Sequence, residues 1–480
     1  MRISPPPINP AARLVGANDR IVDGAMLTMQ ISDISGVLDE YLQKGSLVAI
    51  IADNSPDWIL VDLALQSCGM ISIPIPHFFS RDQTDRIFVS FGVAALIRPA
   101  GTALGVELGF AAGKEVRLTT ELSLSLRCLD RNYGEESLFS PGSKLTFTSG
   151  STGDPKPVPL SASAQWEVAR AIADVLNPLG LTRHLCMLPL AILLENLAGV
   201  YAALSLGSDV VLLPSSDLGL TGSSGFDAPK AFDSLQRHEA QSIILLPEML
   251  LSLCNHLEQS NTRLACLKFV AVGGAKVSPS LIRRARAVGL PVYEGYGLSE
   301  AASVVALNRP GADRIGSVGQ ALPHLEIKTI DDGEIVIRLK QSDQWLLTGD
   351  LGRIDSDGYL YVTGRKKNVL ITSYGRNVSP EWPELLLQGY PEIKQTIVYG
   401  NDQPQLSALL VPTSSEVTHQ RLNDIVSAAN QQLPDYARIG YWQRVDKPFS
   451  VEDGLLTPNG RPRRDQIGAH YFPNKVLSNQ

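Results

Sequence analysis

The amino-acid sequence predicts an α/β protein, with a large N-terminal domain of layered, mostly parallel sheets and helices ahead of a small α+β C-terminal domain. Three observations carry this. As far as about Gly319, short β-branched runs alternate with helix-length segments, as strands joined by helical crossovers do. Two hairpin patterns with Asp-Gly turns then follow one another, which marks a small β-barrel-like part. Residues 367–480 are enough for a separate small domain. The expected division is therefore 1–365 and 366–480.

The elements follow in order. LVAIIA (47–52) reads as a strand, and in the next segment Ser55 can cap a helix whose first position is Pro56. MISIPIP (70–76), VAALIRP (93–99), SIILLP (242–247) and KFVAVGGA (268–275) repeat the strand pattern. The window 188–206, LPLAILLENLAGVYAALSL, is the most membrane-like, but Pro189, Glu195 and Asn196 make it a poor span. It reads better as a buried helix leading into the strand VVLLP (210–214). EIKTIDDGEIVIRL reads as a hairpin turning at Asp332 and Gly333, and GRIDSDGYLYVTGR as a second one turning at Asp357 and Gly358.

The 480 residues are 44% hydrophobic and 19% charged, a globular balance that excludes disordered and collagen-like classes. Forty-two basic against 49 acidic residues leave a net charge of −7, so the chain as a whole does not attract nucleic acid. Cys68, Cys128, Cys186, Cys254 and Cys266 are scattered, without CxxC spacing. That argues against a disulfide framework or zinc site and for a reducing compartment. The opening MRISPPPINP lacks the apolar core of a secretory signal. A soluble, cytoplasmic protein without transmembrane segments is expected, its oligomeric state left open.

The most informative segment is LTFTSGSTGDPKPV (145–158). Thr148, Ser149, Gly150, Ser151, Thr152 and Gly153 follow a β-type run, and Lys156 comes after Asp-Pro. Small residues let backbone N–H groups approach an anion, hydroxyls add donors and Lys156 adds a point charge, as a triphosphate cradle requires. The alternative is a flexible Ser/Gly linker, which needs neither the strand before it nor the Pro-Lys ending.

This segment resembles the phosphate loop of the adenylate-forming superfamily, which includes acyl-CoA synthetases, peptide-synthetase adenylation domains and luciferases. Four further resemblances follow in the family's order: VGGAKVS (272–278), YEGYGLSEA (293–301), LLTGDLGRIDSDGYLYVTGRKKN (346–368) and SYGRNVSPEWPE (373–384). Together they cover nearly the whole chain. The phrases RKKNVLITSYGRNVSP and QLSALLVP, with the LPL-A cadence near 188–207, are most similar to the medium- and long-chain fatty acyl-CoA synthetases.

The resemblance implies a two-step reaction. A carboxylate attacks the α-phosphate of ATP to give an acyl adenylate and pyrophosphate. A thiol, CoA or the phosphopantetheine of an acyl carrier protein, then displaces AMP. Gly274 and Ala275 would border the adenine and acyl pocket, with Glu294, Tyr296, Gly297 and Ser299 beside them. Between Gly295 and Gly297, the Tyr296 ring can lie against a flat base, though it could also be a core tyrosine. Glu300 is placed as the Mg²⁺ ligand, a hard oxygen beside phosphates; otherwise it is a helix N-terminal acid. Asp350 can accept bonds from both ribose hydroxyls, or be a turn residue. Arg365 matches a position that approaches the ribose, its alternative a surface arginine. Lys367 matches the hinge of a mobile C-terminal domain, and Gly375 a glycine lining the thiol channel. Asn377, Pro380 and Glu384 match scaffold positions.

Three departures matter. Ile192 stands where a His or aromatic residue is usual, and Pro157 where a glycine follows the loop lysine. In LLTPNGRPRRD (455–465) the family's catalytic lysine becomes Arg461. Lys156, Glu300 and Arg461 are thus the candidate catalytic residues, and Arg461 leaves open an inactive nucleotide-binding scaffold. An apolar acid, fatty or otherwise, is the expected substrate.

Overall fold

The computed structural model describes residues 6–17, 20–76, 79, 81–101, 115–119, 123–128, 139–149, 155–221, 225–340, 342–373, 376–457 and 460–472. The fold is mixed α/β, with a large N-terminal and a smaller C-terminal domain. By internal contacts it falls into two units that interleave along the chain. Met1–Gly274, Val288–Val292 and Gly297–Val305 form the first; Ala275–Ala287, Tyr293–Tyr296 and Ala306–Gln480 form the second.

The first unit is layered as the alternation predicts. One sheet runs Glu115–Arg117, Leu124–Cys128, Ala95–Pro99, Leu47–Ile50, Ile71–Pro74, Lys144–Ser149 and Pro155–Leu160. Its centre is parallel, its edges antiparallel. In another, Phe269–Val272, Ser242–Leu245, Arg183–Leu185, Asp209–Leu212 and Arg13–Gly16 lie in parallel. Central strands such as LVAI and DVVL are buried along their whole length, as strands covered on both faces must be.

Helix Pro56–Cys68 begins as its sequence requires: the Ser55 hydroxyl accepts from the Trp58 N–H at 3.2 Å, and Pro56 sits in the first turn. The segment expected to be a buried helix is buried, but Leu194–Tyr201 winds as a π-helix before Ala202–Leu206 continues as α-helix. Consecutive polar residues explain what this part of the core must accommodate. Glu195 and Asn196 are 0% and 1% exposed, and each serves a different buried partner.

Glu195 accepts from His184 Nε2 at 2.8 Å and from the N–H groups of Met187 and Leu188. The other ring nitrogen of His184 pairs with the Ser242 hydroxyl. Asn196 accepts from the Lys144 ammonium. That ammonium also donates to Asp62 at 2.7 Å, and the Tyr201 hydroxyl and Ser72 hydroxyl donate to the same carboxylate. The Tyr201 ring lies 4.9 Å from the ammonium, close enough for a cation–π contribution. Burial pushes the Lys144 amine below its ordinary value, and the Asp62 charge opposes that shift.

In the second unit, Leu325–Thr329, Glu334–Leu339, Leu346–Ile354 and Leu360–Arg365 form a four-stranded antiparallel meander. This is the segment anticipated as β-barrel-like. Its hairpins turn where the Asp-Gly pairs predict, with Gly333 and Gly358 at φ of 81° and 80°. Further on, strands Ile393–Tyr399, Leu406–Pro412 and Ile439–Arg444 form one sheet. Helices Glu381–Gln388 and His419–Gln431 supply Leu387, Leu422 and Ile425 to a core shared with Leu410 and Val398. Among the described residues, no helix is long and apolar enough to cross a membrane.

The Lys144–Asp62 cluster gives a direct expectation. Removing one partner of a buried ion pair strands the other charge, at a cost of about 3–5 kcal/mol. Lys144→Met should lower unfolding free energy by about that amount in urea titration, whereas substitutions of the exposed Lys156 should leave it nearly unchanged.

Candidate active site

Each unit carries part of the candidate set. In the first, strands Lys144–Ser149 and Pro155–Leu160 pair antiparallel, with Thr148 opposite Lys156 and Ser149 opposite Pro155. The strands on either side of the phosphate-loop candidate are therefore paired with each other. Gly150, Ser151, Thr152 and Gly153 lie outside the described residues. Pro155, Pro157 and Pro159 alternate along the second strand, which is possible because it is the sheet's edge. There a residue without an N–H breaks no ladder bond on the outer side. Lys156 alternates with them and is exposed.

The turn Ser299–Ala301, which carries Glu300, packs beside this edge strand. Glu300 is exposed and Ser299 half-buried. The chain reverses immediately afterwards through two successive non-glycine residues at positive φ, Ala302 at 55° and Ser303 at 98°. Backbone strain of this kind costs on the order of 1–3 kcal/mol per residue and collects at functional sites. It also explains Gly297: a Cβ there would sit 1.7 Å from the Ser303 carbonyl oxygen. The glycine is required by the returning backbone, a reason the sequence did not reveal. At Gly274 a Cβ would meet Leu246 Cδ2 at 3.0 Å, with Leu194 Cδ2 at 3.9 Å, so two leucines face the place a side chain would take.

In the second unit the structure joins Tyr296, Asp350 and Arg365. Asp350 and Arg365 are cross-strand partners. Arg365 Nε lies 2.7 Å from Asp350 Oδ1, and the Tyr296 hydroxyl donates to Oδ2 at 2.6 Å. The Thr348 hydroxyl accepts from the Asp350 N–H and donates to the Ile335 carbonyl, which fixes the strand just ahead of the aspartate. Burial raises the Asp350 carboxyl above its ordinary value; the charge of Arg365, the Tyr296 hydrogen bond and the charge of Arg461 oppose this. Burial, with the Asp350 charge, pushes the Tyr296 hydroxyl far up. Asp350 is thus a buried, clamped carboxylate in a strand and not a surface turn residue.

Glu294 is 5% exposed. Burial raises its carboxyl to about 8, against a Val277 backbone hydrogen bond and the Lys276 charge. Lys276 was not singled out from the sequence. Its ammonium donates to the Thr363 carbonyl at 3.4 Å, and Glu381, Glu294 and Glu384 offset the lowering that its own desolvation causes. The signal was a lysine directly after Gly-Gly-Ala. Ala275 and Lys367 are exposed, Lys367 in the turn Lys366–Asn368 that follows Arg365. Gly375 lies outside the described residues.

The comparisons with known proteins give the family. Residues 19–341 match the family model of the AMP-binding enzymes, and 367–471 that of the AMP-binding enzyme C-terminal domain. The class is that of adenylate-forming enzymes, and within it the acid–thiol ligases. The chain belongs to the AMP-binding enzyme family. It is similar to the long-chain-fatty-acid–CoA ligase FadD15 of Mycobacterium bovis, 26% identical, covering 94% of this chain and 92% of the relative. It is also similar to the 2-succinylbenzoate–CoA ligase of Bacillus velezensis, 29% identical over 86% of this chain and 85% of the relative. The fold matches that of the o-succinylbenzoate CoA synthetase of Bacillus subtilis solved with ATP and a magnesium ion. There the TM-score is 0.72 and the identity 23%, over 95% of this chain and 96% of that one.

The Glu294 carboxyl makes stability depend on pH. Folded, it holds a proton to about 8, whereas its ordinary value is 4.5. Its contribution is full below the lower value and is lost as pH rises towards the upper one. The melting temperature should therefore fall between pH 5 and 8, and Glu294→Gln, which keeps an acceptor for Val277, should flatten that fall. Unchanged pH dependence in the variant would contradict the assignment.

Proposed function

We propose that the protein activates an apolar carboxylic acid with ATP, forming an acyl adenylate, and transfers the acyl group to CoA with release of AMP. The observation that carries this is the buried Asp350 carboxylate held by Tyr296 and Arg365, three residues that the family resemblance assigns to the nucleotide. Arg461 supplies a cation at the position of the family's catalytic lysine.

The roles follow from the chemistry. Asp350 and Arg365 address the ribose, and Tyr296 presents a ring for the base. Gly274, Ala275, Gly297 and Ser299 border the nucleotide, while protonated Glu294 supports the backbone at Val277. Residues 148–153 and Lys156 cradle the triphosphate. Glu300, a single exposed carboxylate on a strained turn, suits Mg²⁺, which takes few protein ligands and keeps water and phosphate oxygens. When bound, the ion would neutralise phosphate charge. Arg461 aligns the attacking carboxylate with the α-phosphate.

The mobile domain begins at 366, with Lys367 as hinge and Gly375 in the thiol channel. The apolar side chains of Leu194 and Leu246 near Gly274 support an apolar acid. Five cysteines without a disulfide support a cytoplasmic location.

Two experiments test this reading. Pyrophosphate exchange should be measured with palmitate, octanoate, benzoate and 2-succinylbenzoate. The fatty acids should give the highest rates, and Arg461→Lys should raise the best of them about tenfold, because a compact ammonium replaces a planar fork. No exchange with any acid, for wild type and variant alike, would leave a nucleotide-binding scaffold in place of an enzyme. Separately, Asp350→Ala should weaken ATP and AMP binding alike, whereas Glu300→Gln should spare AMP. Equal weakening of AMP by both would overturn the division of roles.

A further inference from the structure

The segment that carries Arg461 is a tight hairpin whose base is clamped. The Thr457 N–H donates to the Arg461 carbonyl at 2.7 Å, and the Arg461 N–H donates to the Thr457 hydroxyl at 3.0 Å. Leu456 and Pro462 bridge across it, and the Arg463 N–H donates to the Leu455 carbonyl. Leu455, Leu456 and Ile467 anchor the hairpin apolarly against Ile397, Val411 and Phe449. Apolar packing of this kind secures attachment but leaves a loop's aim loosely specified.

The directional element is Arg464. Its Nη1 donates to Glu384 Oε1 at 2.7 Å and its Nη2 to Glu384 Oε2 at 2.6 Å, a fork on a carboxylate. Nη1 also donates to the Val398 carbonyl, and the Val398 N–H returns a bond to Glu384. At the other end of the same residue, the Tyr399 hydroxyl donates to the Arg464 carbonyl at 2.9 Å. Both ends of Arg464 are thus fixed to helix Glu381–Gln388 and strand Ile393–Tyr399.

Glu384 is 6% exposed. An apolar pair of similar volume would hold such a core at least as well, because desolvating two charges offsets their attraction. What the ion pair adds is geometry.

We propose that Arg464 and Glu384 are positioning residues for acid activation: their bidentate clamp aims the hairpin so that Arg461 meets the reacting carboxylate and α-phosphate. This rests on the role given to Arg461 above. A misplacement of about 1 Å at such a contact can cost on the order of 10²-fold in rate. The clamp should matter to the step that uses Arg461 and not to thiol transfer.

The test compares Arg464→Lys, the double variant Glu384→Leu/Arg464→Met and Arg461→Ala. Lysine keeps the charge without the fork, and the double variant removes both charges and keeps the core filled, so folding is preserved. Pyrophosphate exchange is read with the best acid of the panel. Thiol transfer is read with the matching synthetic acyl adenylate and CoA, and melting temperature is recorded alongside.

The proposal expects exchange to fall about ten- to hundredfold in the first two variants, with thiol transfer within about twofold of wild type and the double variant melting no lower. Unchanged exchange, or exchange and transfer falling together, overturns the clamp. If Arg461→Ala keeps full exchange, the role of Arg461 itself is wrong. If Arg461→Ala abolishes exchange while the clamp variants do not, only the clamp is wrong.

Discussion

A charge taken out of water must find an opposite charge or a full set of hydrogen bonds, and in this protein that requirement is met at the places from which the site residues are suspended. Lys144 opens the strand that leads into the phosphate-loop candidate, and it is held by Asp62, Asn196 and, through its ring, Tyr201. Those partners come from helix Pro56–Cys68 and from the π-helical segment. One buried ammonium therefore ties two elements to the strand at the root of one loop. Glu195 does the same for the backbone at Met187 and Leu188, using His184 and two N–H groups.

The same logic recurs in the second unit with a functional consequence. Asp350 is buried, yet Tyr296 and Arg365 engage it from separate elements, so its orientation is set by the fold itself. Preorganisation of this kind is where electrostatic catalysis gains its advantage, because no dipole has to turn during the reaction. Arg461 is carried on a hairpin closed by Thr457 and Leu455, and Arg464, three residues further on, is paired with Glu384.

Much of the fold was legible because local chemistry and tertiary structure agreed. Ser55 with Pro56 announced a helix start, and Asp-Gly pairs announced both hairpins; neither signal depends on distant residues. The buried helix was legible from its apolar run, but its π-helical winding was not, since Glu195 and Asn196 owe their burial to His184 and Lys144, remote in sequence. Asp350, Arg365 and Tyr296 were identified by motif, yet their mutual contact depends on strand register. Gly297 was noticed for the ring beside it, and the structure adds a second reason, since the Ser303 backbone returns past it and leaves no room for a Cβ. Glu384 was read as scaffold, because nothing in the spacing shows that its helix meets Arg464 near the C-terminus.

The central claim is that the carboxylate of the acid attacks the α-phosphate of ATP. Isotope transfer tests it most directly. With the acid labelled by ¹⁸O in both carboxyl oxygens, ATP and CoA, the AMP formed should carry one labelled oxygen, because thiol attack breaks the carbon–oxygen bond and leaves that oxygen on phosphorus. ADP with label in inorganic phosphate would instead show an acyl phosphate route and contradict the account.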